Sequence, residues 1–339
     1  MKPFNQCMRF APLWAALALL VGCAAPAPVV APANDPATLR VNVFRGGSNI
    51  PIYMGLEKGY FQRRGLTLQM QFTPNSDQQR AGLAAGRFEI AHAAVDNAVA
   101  MIEVAKNDVI IIAGGDGGMN ELLVRQDINK PADIRGRTYV VDAPNTAYAL
   151  IGRKVFKNAG LIDGRDYKLD PLGGSETRTK GLDTPAGAAT MLNPPWNFIA
   201  RDRGAKSLGR TLELYGPYQA VGAFVMRPWA QANASALERY MAAYIEGCRA
   251  AQDPTQKAQV LAVLKRELKL DDRLTELTYR ELMLPGSGLS KDCALDLQGF
   301  KNVLALRADI EGQWGGQAPA PEKFLDLSYY ERALKHTMP

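Results

Sequence analysis

The stretch Leu39-Arg-Val-Asn-Val-Phe44, Arg45-Gly-Gly-Ser-Asn49, Ile50-Pro-Ile-Tyr-Met-Gly-Leu-Glu-Lys58 and, after Gly59, Leu66-Thr-Leu-Gln-Met-Gln-Phe72 decides the fold. Its first and last pieces alternate apolar and polar residues, the period of a half-buried strand. The piece between them has helical spacing and stops at a glycine. Strand, polar Gly-containing loop, helix, strand is one β-α-β unit, which sets two strands side by side and parallel.

Working outward, the cadence repeats. Residues 77–85 carry a helical period and stop at Gly86, and Phe88-Glu-Ile-Ala-His-Ala-Ala94 is a strand followed by Asp96-Asn97 and an Ala/Val/Met helix. A further strand at 109–113 ends in Gly114-Gly-Asp-Gly-Gly118. Residues 120–126 then read as an extended crossing into a second lobe. There, strands are predicted up to Asp142 and at 167–172, 186–192 and 210–214, with a helix at 147–159. Ala220-Val-Gly-Ala-Phe-Val-Met226 reads as the return crossing, and from Pro228 onward the pattern is helical, at 233–251, 259–268, 274–283 and 295–310. These last helices are expected to wrap the first lobe. The fold class is α/β, two lobes of mainly parallel sheet joined by two interlobe crossings, the build of a hinged clamp.

The ends of the chain set the compartment. Lys2 and Arg9 precede an uncharged apolar run from Phe10 to Val21, which is a secretory signal in length and flanks. Leu20-Val-Gly-Cys23 resembles the lipobox of bacterial lipoproteins, which implies removal of residues 1–22 and lipidation of Cys23. Residues 23–37 are dense in Pro and Ala and read as a tether. The body then divides into a first lobe of residues 38–117 and 222–339 and a second of 118–221. The net charge of +6 is interspersed, with no clustered basic face of the kind nucleic acid needs. Cys248 and Cys293 lack metal or redox spacing and, in an exported chain, are candidates for one disulfide.

Three stretches together resemble the nitrate/sulfonate/taurine-type periplasmic binding proteins, a family that includes binders of the thiamine pyrimidine precursor. They are Arg40 to Leu68 with its Gly-Tyr-Phe turn, Ala81-Gly-Leu-Ala-Ala-Gly-Arg-Phe-Glu-Ile-Ala91, and Ala132-Asp-Ile-Arg-Gly-Arg-Thr-Tyr-Val-Val141 with Ala188-Ala-Thr-Met-Leu-Asn-Pro-Pro-Trp196. The closing segment Phe324 to Ala333 is similar as well. The resemblance implies a periplasmic-binding-protein fold of type II, a small-molecule ligand and ABC permease subunits as partners, with the membrane reached through the lipid anchor at Cys23. A monomer without cofactor or metal is expected.

In parallel α/β sheets ligands collect at the carboxyl ends of strands. The loops there name the candidates: Ser48, Asn49, Asn75, Ser76, Asp96, Asn97, Asn145, Thr146, Ser175 to Arg178, Asn193 and Trp196, with Tyr53, Tyr148 and Tyr218 as further aromatic walls. Arg45 and Arg178 suit a carboxylate. Asp96 is read two ways, as the cap of its own helix or as a ligand contact. Family members for oxyanions carry small hydroxylic residues there, so a carboxylate points to an amine, amidine or hydroxyl, and an aminopyrimidine or other polar aromatic solute fits this set. The alternatives are an enzyme on the same scaffold and a tethered receptor for a membrane sensor. Against an enzyme, the two histidines, His92 on an apolar strand and His336 near the chain end, fit no catalytic motif.

Overall fold

The computed structural model describes residues 37–337. The signal, Cys23 and the tether up to residue 36 lie outside the described residues. The first lobe opens with β1 (Ala37–Val43), α1 (Ile50–Glu57), β2 (Leu66–Phe72), α2 (Ser76–Ala84), β3 (Ile90–Ala94), α3 (Asp96–Glu103) and β4 (Val109–Ala113). The second holds β5 (Glu121–Val124), β6 (Thr138–Val141), α4 (Ala147–Asn158), β7 (Lys168–Pro171), α5 (Ser175–Gly181), β8 (Gly187–Leu192), α6 (Trp196–Asp202), β9 (Lys206–Arg210) and α7 (Thr211–Leu214). The chain returns through β10 (Val221–Met226) to α8 (Arg227–Ala232), α9 (Ala234–Gln252), α10 (Lys257–Leu268), α11 (Asp272–Leu282), α12 (Leu297–Glu311) and α13 (Ser328–Leu334).

Each lobe is built on a five-stranded sheet, ordered β2-β1-β3-β10-β4 and β7-β6-β8-β5-β9. β1 runs parallel to β2 and β3, and β6 parallel to β7 and β8. In each sheet one strand is reversed, β10 in the first and β5 in the second. Both reversed strands are those that arrive from the other lobe. The crossings are therefore not residues 120–126 and 220–226, because most of each stretch is already a sheet strand. What remains, 114–120 and 215–220, is bound together: the Ala220 amide donates to the Asp116 carbonyl at 3.0 Å and the Asp116 amide to the Val221 carbonyl at 3.3 Å.

β4 reads Val-Ile-Ile-Ile-Ala, and all of it is buried although it ends its sheet. The exposed edge that would invite pairing with another chain is covered by the C-terminal segment, where the Ile111 amide donates to the Phe324 carbonyl at 2.9 Å and the Asp326 amide to the Ile111 carbonyl at 3.0 Å.

Two expectations are corrected. The strand expected at 210–214 is displaced. The strand is Lys206–Arg210 and the alternating Thr-Leu-Glu-Leu that follows is the helical turn α7. Nor do all the late helices wrap the first lobe. α9 packs on α1, but α12 lies against α4, where Lys154 and Lys157 reach Asp309 at 2.7 and 2.6 Å and Arg153 pairs with Glu311. α11 also reaches the second lobe, through Arg210–Glu281 at 2.7 Å and an Arg273–Asp202 pair. Phe300, Val303 and Leu304 of α12 join one apolar cluster with Val95 and Val99 of the first lobe and Leu150 and Ile151 of the second.

Cys248 on α9 and Cys293 stand as buried free thiols where a disulfide was expected. They are neighbours: burial, and then hydrogen bonding with Cys248, pushes the Cys293 thiol well above its ordinary value. In an oxidising compartment the pair is expected to oxidise. Closing a loop of about 45 residues stabilises by about 4 kcal/mol in the chain-entropy account. Non-reducing peptide mapping should give one linked peptide pair, and two alkylatable thiols would overturn the expectation.

Candidate functional site

A cleft of about 630 Å³, counting its mouth, lies between the lobes. It is built from strand ends and helix starts. The end of β1 supplies Phe44, Arg45, Ser48 and Asn49, β3 supplies His92, and the first turns of α2 and α3 supply Ser76 and Asn97. From the second lobe come Asp142 after β6, Thr146 and Tyr148 at the start of α4, Ser175 and Arg178 on α5, and Asn193 after β8. Strands diverge at their carboxyl ends and leave room, and the first turns of the helices present N–H groups without intrahelical partners.

The lobes touch across this cleft. The Ser76 amide donates to Asp142 Oδ1 at 3.2 Å, and its hydroxyl donates to Asp142 Oδ2. The Gly174 amide donates to the Pro74 carbonyl at 2.8 Å, and the Gly47 amide to the Pro194 carbonyl at 3.2 Å. At the mouth, Trp196 Nε1 donates to the Arg45 carbonyl at 3.2 Å. Arg45 lies over the Phe72 ring, 4.2 Å from its centroid, and faces Glu176 at 3.8 Å.

Arg178 is the buried cation of the second-lobe wall. Its Nη1 donates to the Gly173 carbonyl at 2.6 Å, and its Nη2 to Ser175 Oγ at 3.0 Å and the Met191 carbonyl at 2.8 Å. Burial lowers its pKa from the ordinary arginine value, against the pull of Asp142. His92 shares a hydrogen bond at 2.8 Å between its Nε2 and the Tyr240 hydroxyl, and burial lowers its pKa to about 3. It is therefore a neutral imidazole at physiological pH, a poor proton acceptor that offers the cleft an aromatic edge. Behind the wall, burial raises Asp116 to about 6 against hydrogen bonds from the Gly118 amide and the Ser48 hydroxyl.

Of the residues singled out from sequence, Ser48, Asn49, Ser76, Asn97, Thr146 and Asn193 line this cleft, as do Arg45, Tyr148 and Arg178. Others stand behind or beside it. Asn75 caps α2, its Oδ1 accepting from the Gln78 amide at 2.8 Å. Tyr53 is buried and meets the Asn49 amide at 3.5 Å. Asn145 points its side-chain oxygen at Arg80, Trp196 sits at the mouth, and Tyr218 is buried near the second crossing.

Asp96 is neither a helix cap nor part of the lining. The cap position is Val95, and the carboxylate is wholly buried against Arg307, Oδ2 to Nη1 at 3.2 Å. Burial raises it to about 6, against the pull of Arg307. The negative charge that would have selected an amine thus has its own cation. Phe44 and Asp142 were not among the candidates, yet the strand-end rule applied to Val-Val-Asp142 points to the second of them.

A family model described as NMT1/THI5 like matches residues 48–258. Among solved structures, a protein from Bordetella bronchiseptica RB50 is similar with a TM-score of 0.77 and 17% identity, over 88% of this chain and 98% of that one. The ligand-binding component of an ABC-type import system from Staphylococcus aureus gives 0.72 and 12% identity, over 87% and 98%. The periplasmic nitrate-binding protein NrtA from Synechocystis PCC 6803 gives 0.74 and 13% identity, over 89% of each chain. At these identities the likeness establishes the fold, a two-lobed periplasmic-binding-protein fold. No curated protein sequence matches significantly. The family match spans more than half of the sequence, and with the lobes and cleft it accompanies, the chain belongs to the NMT1/THI5-like family.

Proposed function

We propose that the protein is the solute-binding component of an ABC importer, exported and lipid-anchored through Cys23, which takes a small organic solute into the interlobe cleft by lobe closure. The observation that carries this reading is a cleft lined by side chains of both lobes and bridged by hydrogen bonds between them. The family match and the import-system neighbour support the same role.

For the ligand, the combination of amides (Asn49, Asn97, Asn193), hydroxyls (Ser48, Ser76, Ser175) and the rings of Phe44 and Tyr148 favours a polar aromatic solute, an aminopyrimidine among them. Such a body packs against these rings while its heteroatoms exchange hydrogen bonds with the amides. A ligand that binds only the folded state raises the melting temperature by mass action. Thermal-shift screening of a metabolite library is expected to return a nitrogen-containing polar aromatic that is recovered unchanged after incubation. Chemical turnover of that compound would favour an enzyme instead, and a hit set confined to compounds without a ring would overturn the ligand class.

A further inference from the structure

We propose that Arg307, which does not line the cleft, is the positioning residue of the interlobe site, fixing one loop of each lobe from behind with a single guanidinium. This rests on reading the cleft as the solute site.

Arg307 lies on α12 and is almost completely buried. Its Nη1 donates to Asp96 Oδ2 of the first lobe at 3.2 Å and also to the Asn145 carbonyl of the second at 3.0 Å. Its Nε donates to Gln313 Oε1 at 3.0 Å, which fixes the plane of the group. Asp96 immediately precedes Asn97, and Asn145 immediately precedes Thr146; both followers face the cleft. One nitrogen therefore holds the two loops at a set separation. Arg80 of the first lobe reaches the Asn145 side chain at 3.3 Å, so the same second-lobe residue is held from two directions.

Energetics favour a positioning role over simple stabilisation. Removing an ion pair from water costs most or all of what its attraction returns, so an apolar replacement of similar volume is often as stable. Here the return is incomplete, because Nη2 is buried with no protein acceptor among the described residues. What an apolar group would not supply is a directed link between lobes. Lysine would not supply it either, since a point charge on a flexible stem lacks the rigid planar array of donors. The consequence is that Arg307 sets cleft geometry without touching solute.

Amide hydrogen exchange on the full chain, with no solute added, tests this. Arg307→Lys keeps the charge beside Asp96 and loses the planar link. Exchange in segments 96–101 and 143–151 is expected to quicken together by about tenfold, while α9 stays as protected as in the native protein. Gln313→Ala, which frees the guanidinium plane and leaves Arg307 in place, should give the same pattern at smaller amplitude and serves if the lysine variant does not fold. Unchanged protection in either segment, or faster exchange spread equally into α9, would overturn the proposal. Because no solute enters the measurement, its failure is distinct from failure of the solute-binding reading, which the thermal-shift screen decides.

Discussion

Arg178→Met is expected to lower folding stability by about 3–5 kcal/mol, because each hydrogen bond from a charged donor contributes about 1.5–3 kcal/mol and the losses overlap. Its partners, the Gly173 and Met191 carbonyls and Ser175 Oγ, tie the loop before α5 to the end of β8. Methionine fills a similar volume and leaves these acceptors without a donor in a buried place. Arg178→Lys should recover only part of the loss, since one ammonium reaches fewer of the three partners than a planar group does. Urea unfolding of the two variants measures this. A methionine variant within about 1 kcal/mol of the native protein would mean that water replaces the guanidinium without cost, and Arg178 would then be a wall residue and not a brace.

The second large effect belongs to the crossing Gly114-Gly-Asp-Gly-Gly118. A Cβ on Gly117 would sit 2.0 Å from the Gly286 carbonyl oxygen, a backbone atom that no rotamer change can move. The Gly117 amide also donates to the Ser287 and Gly288 carbonyls, both at 3.1 Å, so the crossing is fastened where the clash would arise. Gly117→Ala should cost about 3 kcal/mol, the upper end for overpacking. Gly118 has φ of +92° and its nearest neighbour to an added Cβ is Thr211 Cγ2 at 3.3 Å. Gly118→Ala therefore meets backbone strain more than a clash and should cost less, about 1–2 kcal/mol. Denaturant midpoints in the reverse order would show that the loop at 286–288 yields more easily than its hydrogen bonds suggest.

These residues show where sequence reasoning stops. The strand-helix cadence marked most of the parallel strands of both sheets, because each buried face must repeat with its own period, while the reversed strands β5 and β10 read as crossings. The same reasoning failed at 206–214. β9 pairs with β5 alone and is half-exposed, so Lys-Ser-Leu-Gly-Arg shows no apolar alternation, while Thr-Leu-Glu-Leu after it imitates one. The strand-end rule gathered most of the cleft, since it follows from sheet geometry and not from particular side chains. It could not separate lining residues from those just behind them, as with Asn75, Asp96 and Asn145. Asp96 is the clearest case: its partner lies 211 residues away on α12, and no local spacing links the two. The two-lobe role of α12 was hidden in the same way, because an amphipathic helix declares that it has a buried face and not whose core it joins.

Solute held in the cleft would lie between the lobes, in contact with side chains of both. Isothermal titration of the compound returned by the thermal-shift screen, against the native protein, Asn97→Ala of the first lobe and Asn193→Ala of the second, tests it most directly. The cleft places both amides on its wall, and each truncation should remove about 1 kcal/mol, a five- to tenfold weaker Kd. Native affinity retained in both variants, with their folds intact, would place the solute elsewhere and contradict the account.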